Sequence, residues 1–301
     1  MKTTKIIYGI ALALTCSLAA TIQAQDLYVG TVANFTVGEY GMNGSTVNAS
    51  LISDLYYTPT GIAISGNDLF VATWVNGVVG EYTTTGATVN ASLISGLSDP
   101  QSVAISGNDL FVANYRRGTI GEYTTAGATV NASLISGLSG PDAIAILGND
   151  LFIENWFSGT VGEYTTSGAT VNASLISGLN GPQGIAISGN NLFVANYGLF
   201  GFYSGYIGEY TTAGATVNTS LISRLDQPYG IAISGNDLFV ANYGSGTVGE
   251  YTTSGATVNA SLISGLAEPD GIAISPAPDE ASTATLAGLS AAALWLLRRS
   301  K

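Results

Sequence analysis

The side chains of this 301-residue chain that could carry chemistry are mostly carboxylates. The sequence contains no histidine, and its one cysteine is Cys16. Since histidine is the commonest general base and the commonest metal ligand, its absence excludes a Ser-His-Asp triad, a Cys-His pair and a typical zinc site. Acid–base chemistry by carboxyl groups and calcium held by oxygen ligands remain possible.

Any such carboxyl group must be positioned by a unit of about 41 residues that returns six times, most legibly as GEYTTSGATVNASLISGLNGPQGIAISGNNLFVANY from Gly162. In each copy, Ile-Ala-Ile-Ser and Asp-Leu-Phe-Val-Ala-Asn flank a Gly-Asn pair, which signals a two-residue β-hairpin. A tight hairpin in every unit excludes a parallel β-helix, which needs crossover connections. The period therefore indicates the blades of a β-propeller.

Two further strands complete each blade, Thr-Val-Gly-Glu-Tyr-Thr-Thr and Ala-Thr-Val-Asn-Ala-Ser-Leu-Ile. The second strand, such as Leu238 to Ala241, is apolar throughout, so we expect neighbouring blades to bury both of its faces. In the fourth strand, Val258, Ala260 and Leu262 alternate with polar residues, which predicts an outer strand with one dry face and one wet face.

The order of the strands predicts how the array closes. Residues 26–32 form a second strand with no first strand before it, and residues 271–275 form a first strand with no second strand after it. Pairing the two completes a sixth blade and removes the edges of an open stack. We predict an all-β, six-bladed propeller of four-stranded antiparallel blades spanning residues 25–275.

The repeats resemble those of NHL-type propellers, whose pattern is Pro-x-Gly-Ile-Ala-Val followed by Leu-Tyr-Val-Ala-Asp. The matching runs are Pro182 to Ile187 and Asn191 to Tyr197, and the resemblance covers all six blades. The blades depart from that pattern in carrying Asn after Val-Ala and in lacking an Asn-Arg pair. The Gly-His and Trp-Asp marks of WD40 blades are absent.

Propellers with lactonase or lyase activity place metal ligands or bases in the central channel. By analogy with those propellers, Asp142 and Asp270, at the channel end of two first strands, are candidates for a calcium site or for the active site of a metal-assisted hydrolase, lactonase or lyase. The ordinary alternative is that these carboxylates are simply solvated. We expect no other cofactor.

Differences between the copies fall on one face of the predicted ring, where a partner is expected to bind. An insertion adds Leu199, Phe200, Phe202 and Tyr203, which either grip a glycan or protein, or fold over the channel mouth. Glu154 replaces an alanine, and either forms a salt bridge with Arg116 or Arg117 of the neighbouring blade or belongs to a ligand site. The predicted binding face comprises Tyr57, Arg116, Arg117, Glu154, Trp156, Phe200, Phe202, Tyr203 and Tyr229.

The charge of the predicted propeller argues against nucleic acid as a partner. Residues 25–275 contain three arginines, no lysine and 18 acidic residues, a formal net charge of −15. Binding to a phosphate backbone depends on clustered Lys and Arg, which this body lacks.

Both ends of the chain resemble targeting signals. Lys2 and Lys5 precede an apolar run that leads to Ala24, so residues 1–24 are predicted to be a secretory signal peptide that contains Cys16. Residues 276–301 resemble a PEP-CTERM sorting signal, the substrate of exosortases in Gram-negative bacteria. The resemblance rests on Pro278, Asp279, Ser282, Thr283, Arg298 and Arg299, and 17 uncharged residues lie between Glu280 and Arg298. A plain C-terminal membrane anchor or a docking helix is the alternative, with the basic end cytoplasmic.

Together these features predict an exported surface or extracellular-matrix protein. The propeller is expected to be a non-enzymatic binding or scaffold module for carbohydrate or protein. Its tail is expected to hold it in the membrane before an exosortase-type enzyme processes it. The alternative is an enzyme that acts in the central channel.

Overall fold

The structure, a computed structural model, describes residues 25–53, 55–198 and 204–276. The predicted signal peptide, the tail beyond Pro276 and the insertion residues Phe200, Phe202 and Tyr203 lie outside these residues. The described residues form 24 strands in six four-stranded antiparallel sheets. There is no helix among them that is long and apolar enough to cross a membrane.

The strands are numbered β1 to β24 in chain order, and each blade contains four of them from the inside of the ring outwards. The first, inner strands are β4 (Pro59–Ser65), β8 (Pro100–Ser106), β12 (Pro141–Leu147), β16 (Pro182–Ser188), β20 (Pro228–Ser234) and β24 (Pro269–Ile274). The second strands are β1 (Asp26–Thr31), β5 (Asp68–Thr73), β9 (Asp109–Asn114), β13 (Asp150–Asn155), β17 (Asn191–Asn196) and β21 (Asp237–Asn242). The third strands are β2 (Thr36–Gly41), β6 (Val78–Thr83), β10 (Thr119–Thr124), β14 (Thr160–Thr165), β18 (Gly205–Thr211) and β22 (Thr247–Thr252). The fourth, outer strands are β3 (Thr46–Ile52), β7 (Thr88–Ile94), β11 (Thr129–Ser136), β15 (Thr170–Ser177), β19 (Thr216–Leu225) and β23 (Thr257–Ser264).

The second strands form the hydrophobic core, as their composition predicts. In β5, Leu69 and Val71 pack with Tyr28 of the preceding blade, whereas Phe70 packs with Val103 of the following blade. The four central side chains of that strand, Leu69 to Ala72, are at most 1% exposed. Because successive residues of a strand point to opposite faces, one apolar strand stabilises two blade interfaces.

The ring closes as predicted, by pairing of β1 with β24. Leu27 lies opposite Ile274, and Val29 lies opposite Ile272. Ser275 adds two hydrogen bonds with Asp26: its N–H donates to the Asp26 carbonyl oxygen at 2.9 Å, and its Oγ accepts from the Asp26 N–H at 2.7 Å. The closing blade thus has the same sheet order as the others, although it is built from both ends of the folded region.

The outer strands differ from the expected alternation of wet and dry faces. Val258 is 53% exposed, and of residues 257–263 only Ile263 is buried. The strand bulges between Asn259 and Ile263, where the Ser261 N–H donates to Asn259 Oδ1 at 3.1 Å instead of extending a regular ladder. Because no blade lies outside the ring to cover this strand, its β-branched residues remain in solvent.

Candidate binding site at the channel mouth

The second residue of every inner strand contributes one side chain to a ring around the central channel. The inner strands neighbour one another in the order β24, β4, β8, β12, β16 and β20. The corresponding channel ring consists of Asp270, Thr60, Gln101, Asp142, Gln183 and Tyr229. Two strands separate Asp142 from Asp270 in either direction, so the two carboxyl groups stand on opposite sides of the channel.

The residue after the channel ring is small, because the inner strands approach one another closely there. A Cβ added to Gly184 would collide with the Tyr229 carbonyl oxygen, and one added to Gly230 would collide with that of Asp270. In β8 the equivalent residue is Ser102, whose Oγ accepts a hydrogen bond from the Ile144 N–H at 3.2 Å. These close contacts between neighbouring inner strands fix the position of the channel ring.

A second layer of side chains surrounds the channel mouth, and we call it the aromatic collar. Each member directly follows a second strand, and its N–H donates to the residue that precedes the inner-strand proline, as from Tyr243 to Gln227 at 2.9 Å. The collar consists of Trp74, Tyr115, Trp156, Tyr197 and Tyr243, and Val32 occupies the sixth position. One backbone hydrogen bond per blade therefore fixes where each collar residue leaves the sheet.

Four aromatic rings form a continuous arc on one side of the mouth. Trp156 and Tyr197 meet edge to face with centroids 6.0 Å apart, and Tyr197 meets Tyr229 in the same way at 5.7 Å. Tyr229 then stacks on Tyr243 at 4.8 Å. The arc thus joins three collar residues with one residue of the channel ring, and it presents a broad aromatic surface to the cavity.

Two loop residues in left-handed backbone conformations anchor this arc. Gln227 has a φ of 55° and Glu268 has a φ of 57°, in a region of backbone conformation that residues other than glycine rarely adopt. The Gln227 Nε2 donates to the Tyr197 hydroxyl, and the Tyr243 hydroxyl donates to Glu268 Oε2 at 2.9 Å. The strained backbone thus occurs at the two residues whose side chains hydrogen-bond to a collar tyrosine of the preceding blade.

The collar and the channel ring enclose a cavity of about 340 Å³. Thr60, Gln101, Asp142, Gln183 and Asp270 form its floor and also line a smaller segment of the channel, of about 190 Å³. Within the described residues, no hydrogen bond or ion pair engages the carboxyl group of Asp142 or of Asp270. The cavity therefore combines aromatic walls with unpaired carboxyl and amide groups on its floor, as ligand sites typically do.

Burial changes the protonation of these acids. It raises the pKa of Asp142 to about 8 and holds the pKa of Asp270 well above its ordinary range, with the Asp142 charge as the second cause for Asp270. At neutral pH the Asp142 carboxyl is mostly a neutral acid, which can donate a hydrogen bond as well as accept one.

Glu154 does not form the salt bridge with Arg116 or Arg117 that the sequence suggested. Its side chain is completely buried, and neither carboxylate oxygen has a hydrogen-bond partner among the described residues. Burial raises its pKa far above the ordinary range, and Asp142 adds to the effect. Arg116 instead donates through Nε to Asp99 Oδ2 at 2.7 Å, on the surface of its own blade.

The predicted binding residues separate into distinct places. Trp156 and Tyr229 belong to the mouth. Arg116 and Arg117 line an adjacent groove of about 510 Å³ together with Tyr115 and Phe157. Tyr57 is 40% exposed and does not line the cavity, while Phe200, Phe202 and Tyr203 fall outside the described residues.

Sequence reasoning missed most of the collar and both channel glutamines. Tyr115, Tyr197 and Tyr243 belong to the repeated Ala-Asn-Tyr run, so a comparison of the differences between blades does not single them out. An aromatic residue directly after the second strand in five of six blades was the available signal. Gln101 and Gln183 stand at the position of Asp142 and Asp270 in their own blades, so aligning that one position would have found them.

The described residues contain no group of three or more His, Cys, Asp and Glu side chains that could hold a metal ion. Asp142 and Asp270 face each other from opposite inner strands, and the third acid nearby, Glu154, lies buried within a blade. Calcium at Asp142 and Asp270 therefore remains a prediction from the sequence.

Comparisons with known proteins identify the architecture. No protein-family model and no curated protein matches this chain. Among solved structures, a chain of the crystal structure of a nidogen–laminin complex aligns with TM-score 0.71 and 12% identity over 84% of this chain and 99% of that chain. A catalytically inactive histidine-to-alanine variant of virginiamycin B lyase from Staphylococcus aureus, solved with quinupristin, aligns with TM-score 0.61 and 20% identity over 86% of this chain and 94% of that chain. These likenesses show the six-bladed propeller fold.

Proposed function

We propose that this protein is an exported, non-enzymatic binding module whose channel mouth binds a glycan of the extracellular layer. The observation that supports this most is the aromatic arc beside a floor of carboxyl and amide groups. Sugar rings carry apolar faces, which pack on aromatic rings, and hydroxyl groups, which need partners that both donate and accept. The side chains of Gln101, Gln183 and protonated Asp142 supply such partners within one cavity.

A glycan array with the purified protein tests this function. We expect binding that Tyr229→Ala abolishes, because it interrupts the arc, and that Trp156→Ala weakens at least tenfold, because it shortens the arc. Tyr56→Ala is the matched control, since Tyr56 is 87% exposed and does not line the cavity. If the array gives no binding, or if Tyr229→Ala binds as well as the wild type, the mouth is not a glycan site.

Export and processing are the second part of the proposal, and they are supported by the sequence of the two ends. Removal of residues 1–24 would leave Gln25 as the first residue of the mature protein, immediately before β1. The tail from Pro276 would first anchor the protein and then be removed by an exosortase-type enzyme. N-terminal sequencing and intact mass of the protein recovered outside the cells test both cleavages. A product that keeps residues 1–24 would refute the signal peptide. A tail that stays uncleaved, whether or not Pro278 and Asp279 are substituted, would refute the sorting signal.

An enzyme in the channel is a second candidate, favoured by two buried carboxyl groups with raised pKa values that face each other across the cavity floor. Such groups are typical of acid–base catalysis. A metal-assisted hydrolase, lactonase or lyase would need further ligands or bases. The catalytically inactive variant of virginiamycin B lyase has an alanine in place of a histidine, and this chain contains no histidine. Turnover of a bound glycan or of a lactone, with or without added calcium, that Asp142→Asn abolishes would establish the enzyme instead.

A further inference from the structure

The mouth cavity is electrostatically one-sided. Asp142 and Asp270 lie on its floor, and Glu154, whose charge interacts with that of Asp142, is buried with no hydrogen-bond partner among the described residues. None of the described residues that line it is an arginine or a lysine. Since buried carboxyl groups in proteins are normally paired with a cation or fully hydrogen-bonded, this arrangement lacks a positive partner.

The walls of the cavity favour the same kind of partner. Tyrosine and tryptophan rings attract a cation over their faces, most strongly in a desolvated site, and ammonium groups are often bound by cages of such rings. The arc places Trp156, Tyr197, Tyr229 and Tyr243 around one half of the mouth. An ammonium group in the cavity would therefore meet aromatic faces at its side and carboxyl oxygens below.

We propose that the mouth recognises a cationic amino group on its glycan, held between the aromatic arc and the carboxyl groups of Asp142 and Asp270. This inference rests on the proposed function and names its ligand class, an amino sugar with a free amine. A neutral sugar could stack on the arc equally well, but it would leave both carboxyl groups without a charged partner.

Binding of a cation would also move protons. The titratable groups facing or adjoining the cavity are Asp142, Asp270, Glu154, Tyr115, Tyr197, Tyr229 and Tyr243. Burial holds the free Asp142 carboxyl protonated at pH 6, and a neighbouring ammonium group lowers its pKa. The amine therefore displaces a proton from the floor, whereas a neutral ligand does not.

The test compares glucosamine tetramer with N-acetylglucosamine tetramer by calorimetry at pH 6, in buffers of different ionisation heat. These probes share their sugar rings and differ in the charge of the amine. We expect the glucosamine tetramer to bind at least tenfold more tightly and to release a proton. Asp142→Asn and Asp270→Asn should each reduce that preference severalfold. Glu163→Gln replaces a carboxyl group by an amide outside the cavity, so it should leave the preference unchanged and excludes general attraction to an acidic protein.

The other possible outcomes of this experiment separate the cation inference from the proposed glycan function. Equal or tighter binding of the acetylated tetramer would overturn the cation inference and leave the glycan function standing. If neither tetramer binds while choline does, both the glycan function and the proposal of an amino sugar are overturned, and the mouth binds a quaternary ammonium ligand instead. If none of the three probes binds, the cation inference is overturned. An equal loss of preference in Glu163→Gln would likewise refute a specific role of the floor.

Discussion

The buried Asp142 makes the stability of the propeller fall as pH rises, and Asp142→Asn is the change that tests this. Its side chain is 8% exposed, and burial raises the pKa from an ordinary 3.8 to about 8. Between these values the unfolded chain releases the proton while the folded protein keeps it. The free energy of unfolding then decreases by about 1.4 kcal/mol per pH unit for this group.

The three pH units between pH 5 and pH 8 correspond to a loss of about 4 kcal/mol from Asp142 alone. Asparagine has nearly the same shape and does not titrate, so the variant lacks this contribution. Glu154 and Asp270 also have raised pKa values. The free energy of unfolding of the variant therefore still decreases as pH rises, but by less than that of the wild type. Below the ordinary pKa of aspartate, both states of the wild type are protonated and the effect of Asp142 vanishes.

Urea unfolding monitored by tryptophan fluorescence at pH 5, 6, 7 and 8 measures the effect. The wild type should lose several kcal/mol more than Asp142→Asn over this range, with similar m-values for the two proteins. Asp109→Asn, at an exposed carboxyl group, is the control and should follow the wild type. Parallel curves for the wild type and Asp142→Asn would show that Asp142 is solvated as an ordinary carboxylate, and the argument from burial would fail.

The closing strand and the support of the collar give two further predictions. Leu27→Ala, at a completely buried position of β1, should cost about 2–5 kcal/mol in urea unfolding. Val47→Ala, at a position that is 58% exposed, should change stability by less than about 0.5 kcal/mol, and similar costs for the two variants would refute the assigned core. Gly181→Ala and Gly189→Ala both place a side chain at positive φ, but only the former sets a Cβ 2.5 Å from the Trp156 ring. Both should lose roughly 1–2 kcal/mol, and only Gly181→Ala should also shift the tryptophan emission and weaken glycan binding; equal emission shifts would contradict the packing.

The fold was predictable because its signals are local and repeated. The Gly-Asn pair sets the first hairpin of each blade, and Leu238 to Ala241 are apolar on both faces, so the pairing and the burial follow from a single copy. The unmatched strands at residues 26–32 and 271–275 identified the closing pair. The outer strand was described wrongly because Val258 and Ala260 alternate with polar residues without any layer to cover them. Alternation indicates a dry face only where a neighbour exists.

The site was predicted only in part, since it depends on which positions of different blades meet. The divergence of the loops indicated the face on which Trp156 and Tyr229 line the mouth cavity. The fate of Glu154 could not be read from the sequence, because a charge near a strand end reaches solvent in one packing and becomes completely buried in another. Its distance from Arg116 is set by the orientation of two blades, which no single copy of the repeat specifies.

The repeat and its exceptions contribute different parts of the mouth. Features common to the blades, such as the backbone bond from Tyr243 to Gln227, build a nearly symmetric collar that would suit a symmetric ligand. The channel ring breaks this symmetry, because Asp142 and Asp270 stand on one axis and Tyr229 extends the aromatic surface on one side only. A ligand that touches both carboxyl groups and the arc must therefore bind in one orientation. Exchanging Gln183 and Asp142 would move one of the two carboxyl groups by one blade, so that only β20 separates it from Asp270 on the shorter side, while the collar stays unchanged. Glycan preference that follows the carboxyl group would assign recognition to the channel ring, and unchanged preference would assign it to the collar.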